Sequence, residues 1–533
     1  MGNTQRRPQT LLESFDVETG EFDPQLYFIA KHYRRRRAAK RELEKINQNL
    51  NEIINEEDEE TSVINSRRVR GRYERKDPPM YRCPVDGTLK VYRPENTPWF
   101  RDYVASPKTE SRAFCKKFRR RFRMSYGSFL KHLTEVKEHP AFHQWKAGNV
   151  SNSGKKVVPI ELLLLGVLRF LGRGWTTDDL EEQTMISQET HRRFIHLYLT
   201  WASTVFYKKK VNLPSPEGIS ESSYEYGIAG FPGCIGSQDA THVGMLRCQH
   251  RLKQYHDSFK LSTPSRTYNI TVNHRRRILS STRGHPGRWN DKSVVMYDYL
   301  SCGLRDGTLY NNIEFELLER CNSGVRARKY KGGWIIVDNG YLPWSTMVPP
   351  FKSYVSWPEF RFSKWLESMR KDVECTFGIL KGRFRILKTG IPLHGIEVCD
   401  KVWYTCCALH NYLLEEDNLD NRWDVNRYMQ LDGNHNDEDI MNVNDEQRQY
   451  DLINNMDNNH EGSTTQSETE NTKDDHVAGS DDAASECLKV NKMRFADFRN
   501  KLIEHFDIQT KQNEILCPSR TDMGNTVNLC QTL

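Results

Sequence analysis

The chain has 533 residues, with 78 Lys+Arg against 71 Asp+Glu and a net charge of +7. Residues 431–486 hold 16 acidic and two basic residues, net −14, so the rest of the chain carries +21. A basic body with an acidic segment excludes little by itself but points to a polyanionic partner, most simply nucleic acid. The longest greasy stretch, 159–172, contains Glu161 and Arg169 and falls short of a membrane span, so no membrane partner is expected. The thirteen cysteines form no CxxC pair, which argues against a zinc site or a disulfide framework and suits a reducing compartment.

In chain order, residues 1–26 read as a loose terminus, and 27–60 as a helix that starts basic and ends acidic. That polarity opposes the helix dipole. A second basic run covers 66–76, and a linker reaches about 111. Together, 1–111 form a basic N-terminal region. Residues 112–212 read as all helical. Phe114, Phe118 and Phe122 recur every four residues as one aromatic stripe. A short helix after Thr176, a turn, and a helix from Ser187 make a helix-turn-helix-like unit. In it Ser187, Gln188, Thr190, His191 and Arg192 would meet DNA, although such hairpins also serve only for packing. Residues 213–416 mix strands and helices, an α/β domain. One strand is expected to end at Asp239, two more to join through a turn at His274 and Arg276, and a buried strand to run 334–337 into Asp338. A helix is expected over 290–304, a long one over 362–380 and a final one over 402–414. Residues 417–533 are expected to be an acidic, mostly disordered tail. A short helix near 491–506 interrupts it, carrying Met493, Phe495, Phe498, Leu502 and Phe506.

Asp239, Asp338 and Glu374 stand out. A carboxylate at the end of a buried strand is costly unless a cation pairs with it. Oxygen donors without a Cys/His cluster favour Mg2+ or Mn2+ over zinc. Two such ions can drive in-line displacement at a phosphodiester. Arg370 precedes Glu374 by one helical turn and can orient it, or form a plain surface pair. His242, an odd offset from Asp239, belongs on the opposite strand face and reads as a packed or hydrogen-bonded residue. Asp291 reads as a helix cap. Lys381, Arg383, Arg385 and Lys388 form a basic strip, read as a DNA-backbone clamp against an ordinary solvated face.

These segments resemble the Harbinger family of eukaryotic DDE transposases, including its plant-like and domesticated nuclease members. The resemblance rests on Asp239-Ala240-Thr241-His242, on Asp338-Asn339-Gly340-Tyr341, and on Arg370, Glu374, Phe377, Gly378, Leu380, Lys381, Arg383 and Phe384. Gly287-Arg288-Trp289-Asn290-Asp291 and the run from Cys406 to Tyr412 add to it. It implies an RNase H-like catalytic domain behind the all-α domain, with Asp239, Asp338 and Glu374 as catalytic metal ligands. Asp291, Arg370 and His242 would be secondary site residues. The implied activity is two-metal cutting of DNA at transposon ends and transfer of the 3′-hydroxyl. The implied partners are double-stranded DNA, a second copy of the chain or a higher oligomer, and a separate Myb-like DNA-binding protein, all in the nucleus. The alternatives are a domesticated, catalytically silent nuclear DNA-binding protein of the same fold, and a structure-selective nuclease.

Overall fold

A computed structural model describes residues 80–82, 89–91, 93–145, 157–258, 260–417, 423–430, 487–512, 515–522 and 525–527. The expected helix at 27–60, the basic run at 66–76 and the acidic stretch 431–486 lie outside the described residues. The chain divides into two compact units at Tyr92 and Arg93. In the first, β1 (Met80–Arg82) pairs antiparallel with β2 (Leu89–Val91).

The second unit opens with helices. Ser111 caps α1 (Arg112–Phe122), its hydroxyl accepting the Phe114 N–H, and the Phe114/Phe118/Phe122 stripe turns inward. Phe118 and Phe122 are fully buried, with ring centroids 4.7 Å apart. Phe118 also packs edge-on against Tyr103 at 5.6 Å. Phe118→Ala is therefore expected to cost about 3–5 kcal/mol, the usual range for deleting a buried ring, read from urea unfolding. Then come α2 (Tyr126–Glu138), α3 (Ile160–Arg173), α4 (Thr177–Thr184), α5 (Gln188–Trp201) and α6 (Pro216–Ile228). A reciprocal capping box between Thr176 and Asp179 starts α4, and Ser187 caps α5.

The sheet follows. Its strands are β3 (Cys234–Gly244), β4 (Ser265–Val272), β5 (Ile278–Ser281) and β6 (His285–Pro286). After α7 (Asp291–Val295), α8 (Tyr299–Asp306) and the hairpin β7 (Glu314–Cys321)/β8 (Gly324–Lys331) come β9 (Trp334–Ile336) and β10 (Met347–Val348). The order is β10-β9-β3-β4-β5, with β6 also on β4. β3 runs parallel to β9 and antiparallel to β4, which in turn is antiparallel to β5. Such a mixed sheet, with helices packed on it, is the RNase H-like arrangement. Two long helices complete it: α9 (Trp357–Arg383), capped by Ser356 with Pro358 in its first turn, and α10 (Ile396–Glu416).

One apolar core runs through both regions. Phe118, Leu163 and Phe194 of the helices join Tyr268 and Ile270 of β4, Val373 and Leu380 of α9, and Trp403 of α10. The turn after β4 holds Arg276 at φ 64°, and its N–H donates to the Asn273 carbonyl.

Three expectations change. The helix over 290–304 breaks in two because Asp298 is buried and caps α8, accepting the Ser301 N–H at 2.8 Å. The β7/β8 hairpin is unexpected. Its charged residues alternate with the few buried ones, Leu317, Glu319 and Tyr330, so no apolar run marks it. The helix near 491–506 is α11 (Phe495–Lys511), and it docks on the domain. Phe498, Leu502 and Phe506 are buried beside Phe231, Trp334 and Phe362. Asp507 accepts from Arg361 and Lys511, each at 2.9 Å.

Candidate functional site

Asp239 lies in the middle of β3, opposite Ile270 on β4. The strand continues to Gly244, which corrects the expectation that it ends at the acid. Period-two alternation puts Asp239 and Thr241 on the face covered by α9. The Asp239 carboxylate accepts the Ala240 N–H at 2.7 Å. Asp338 follows β9 and accepts the Gly340 N–H at 2.8 Å. Asp291, the first residue of α7, comes to the same loop. A Cβ on Gly340 would lie 3.0 Å from both Asp291 Oδ2 and Asp338 Oδ1, so a side chain there would crowd the two carboxylates.

Burial is the main cause that raises the Asp239 carboxyl to about 6; the negative charges of Asp338 and Asp291 add to it, while the Ala240 N–H and Arg370 oppose it. Asp291 is also raised, chiefly by burial and further by Asp338, with Lys260 opposing.

Glu374 does not join these acids. Arg370 Nη2 donates to Glu374 Oε1 at 2.7 Å, one helical turn away on α9, and the Glu374 side chain is 45% exposed. Arg370 Nη1 stands 3.7 Å from Asp239 Oδ2. The guanidinium thus stands between Asp239 and Glu374, and its charge offsets part of the negative charge of both carboxylates. Among the described residues no group of three or more His, Cys, Asp or Glu side chains comes together so as to hold a metal ion. That overturns the expected Mg2+ or Mn2+ cofactor held by Asp239, Asp338 and Glu374. With it falls the expected metal-dependent nuclease and strand transferase. The donor set does not fit the metal that the fold suggests.

Residues 238–411 match the family described as DDE superfamily endonuclease. The chain is 27% identical over 296 residues to a protein named ALP1-like from Arabidopsis thaliana, covering 52% of this chain and 66% of that one. It is 22% identical over 264 residues to HARBI1 of Mus musculus, covering 49% and 69%. To HARBI1 of Bos taurus it is 23% identical over the same length. The chain carries a Harbinger-type DDE transposase-family domain. No solved structure matches the chain significantly.

Elsewhere in this DDE domain, His242 is packed on the face away from Asp239. Its Nδ1 lies 3.2 Å from Ser265 Oγ and 3.3 Å from both Ser258 Oγ and Thr267 Oγ1, and burial lowers it to about 4. Lys381 turns inward. Its Nζ donates to Thr241 Oγ1 at 2.6 Å and to the His242 carbonyl at 3.2 Å, so it braces α9 on β3 instead of projecting with Arg385. Arg383 is half-buried, and Arg385 is exposed just past the end of α9.

The residues expected to read DNA at the start of α5 are largely engaged. His191 is fully buried, its Nε2 2.7 Å from Thr184 Oγ1, which corrects its assignment as a DNA contact: it ties α5 to α4. Gln188 donates to Asp178 at 2.6 Å. Arg192 holds Glu189 through two bonds of 2.8 and 2.9 Å. Ser187 and Thr190 share the cap, their hydroxyls 2.9 Å apart.

A buried polar network behind the acids escaped the sequence reading. Tyr341 donates to Asn269 at 2.7 Å, Asn269 to Asp298 at 3.3 Å, and Gln238 to Ser301 at 2.9 Å. It fixes the loop that carries Asp338. The available signal was an amide side chain, Gln238 or Asn269, inside each of the two strands.

Proposed function

We propose that this chain is a catalytically silent, nuclear DNA-binding protein that keeps the DDE fold. The observation that carries this reading is Arg370 standing between Asp239 and Glu374, in a site whose acids do not assemble a metal-holding group. The partner is duplex DNA, favoured by the +21 carried outside residues 431–486 and by the family resemblance. Self-association and a separate Myb-like companion are the assembly that this resemblance brings with it. The helix-turn-helix-like pair α4–α5 serves mainly as packing, because Asp178, Glu181 and Glu189 surround its polar start and repel phosphate. The helical region 112–212 and the DDE region 213–416 act as one body through their shared core.

The test is a labelled duplex incubated with the protein and Mg2+, Mn2+ or EDTA. The expected result is binding that is unchanged by EDTA, with no nicking. The affinity should fall steeply with salt, by about 10³–10⁵ between 50 and 200 mM if six to ten phosphates are contacted. Metal-dependent nicking that Asp338→Asn abolishes would overturn the reading.

A further inference from the structure

Three helix ends, those of α1, α3 and the DDE domain's long helix α9, bring arginines together. Arg123 caps the end of α1 in the left-handed region, at φ 67°. Arg169 and Arg173 lie in the last turns of α3. Arg383 closes α9 and Arg385 follows it. The packing is close: a Cβ on Gly172 would lie 2.9 Å from Arg123 Cγ and 3.8 Å from the Arg383 carbonyl oxygen. Helix C-termini present carbonyl oxygens and offset part of this positive charge, and Arg169 Nη1 donates to the Arg121 carbonyl at 3.2 Å.

The remainder is only partly offset. Arg169 is 9% exposed and lies 3.7 Å over the Trp175 ring. Its Nε, the Arg123 Nε and one Arg383 Nη are buried without a hydrogen-bond partner. Such orphaned charged donors are costly unless a ligand meets the group. The carboxylate that opposes Arg383 is Asp417, already bound to Arg119 at 2.5 Å. Burial, then the neighbouring guanidiniums of Arg173, Arg121 and Arg123, lowers Arg169 to about 10, with Tyr103 opposing. Burial, then Arg173 and Arg385, also lowers Arg123. These cations repel one another, and an anion would relieve all of them together.

We propose that Arg123, Arg169, Arg173, Arg383 and Arg385 form a seat for backbone phosphates of duplex DNA. The proposal rests on the DNA-binding reading above and locates where that binding occurs. More positive charge is gathered here than one small anion neutralises, and a duplex carries one negative charge per ~1.7 Å of its axis. Arg173 and Arg385 are exposed and come from different elements, so they reach phosphates directly. Arg123, Arg169 and Arg383, more buried behind them, supply a fixed positive floor. Phosphate contacts position DNA without reading its sequence, so the seat is indifferent to base order.

The test is fluorescence anisotropy of several mixed-sequence duplexes against salt concentration. It compares the wild type with Arg173→Gln/Arg385→Gln, and with the control Arg326→Gln/Lys329→Gln on the exposed strand β8. Each lost phosphate contact lowers the slope of log affinity against log salt by about 0.9. The site variant should therefore lose about 2 in slope and at least tenfold in affinity near physiological salt, equally for every duplex, with a melting temperature no lower than that of wild type. The control should behave as wild type to within the small effect of its lower net charge. If the wild type binds DNA and the site variant keeps its slope, the seat is refuted while the DNA-binding reading stands. An equal loss in the control refutes it too. A wild type that binds no duplex at any salt overturns both.

Discussion

Asp239→Asn is expected to stabilise the folded chain at pH 7.5, by about 2–3 kcal/mol, because each unit of pKa displacement is worth about 1.36 kcal/mol. Burial raises this carboxyl from 3.8 to about 6. Ionising it in the folded state therefore costs free energy that the unfolded chain does not bear. The folded state binds the proton more tightly than the unfolded state between these two values, so wild-type stability falls as pH rises from about 4 to 6. Above 6 the penalty is constant, and asparagine removes it. The gain from the substitution should shrink as pH falls through 6 and vanish below 3.8. Asparagine keeps an acceptor for the Ala240 N–H, and Arg370 keeps Glu374. Urea unfolding of both proteins across pH 4–8 checks this; a destabilised variant at pH 7.5 would show that Arg370 answers the Asp239 charge in full.

Asp400→Ala should have the opposite sign and a larger size, a loss of about 3–5 kcal/mol. Arg266 on β4 is buried, with a 7% exposed side chain, and Asp400 on α10 receives two of its bonds, each 2.7 Å. Asp400 also accepts the Tyr268 hydroxyl at 2.8 Å. Truncating it strands a guanidinium under α10. Adding Arg266→Met should recover much of the loss, since the second substitution removes the stranded charge. Trp403 stacks on Tyr268 at 4.5 Å, so the intrinsic fluorescence of the same region reports the unfolding. A single variant within 1 kcal/mol of wild type would mean that water reaches Arg266.

Much of this architecture was legible in the residues. The aromatic stripe of α1, the strands around Asp239 and Asp338, the turn at Arg276 and the long helix carrying Arg370 and Glu374 follow from spacing, turn chemistry and helix propensity. Those are local properties. What was not legible depends on packing between distant segments. Arg370 and Glu374 read correctly as neighbours on one helix face, but α9 lies across β3, and so Arg370 also reaches Asp239. The acidic motif alone could not say whether a metal or a guanidinium answers its charge. His191 sits at the start of an amphipathic helix, where DNA-reading residues are found; only the approach of Thr184 shows that it points inward. The β7/β8 hairpin hid its period-two alternation behind Glu, Arg and Lys. Asn322 and Ser323, between the paired Cys321 and Gly324, were its one local mark.

Arg370, and no divalent ion, stands between Asp239 and Glu374 and offsets their charge. Manganese titration followed by electron paramagnetic resonance separates the two cations, comparing wild type with Asp239→Asn and Asp338→Asn so that weak binding by acids elsewhere cancels. The expected result is superimposable isotherms for the three proteins. A tight class of one or two Mn2+ ions in the wild type, absent from both variants, would contradict it.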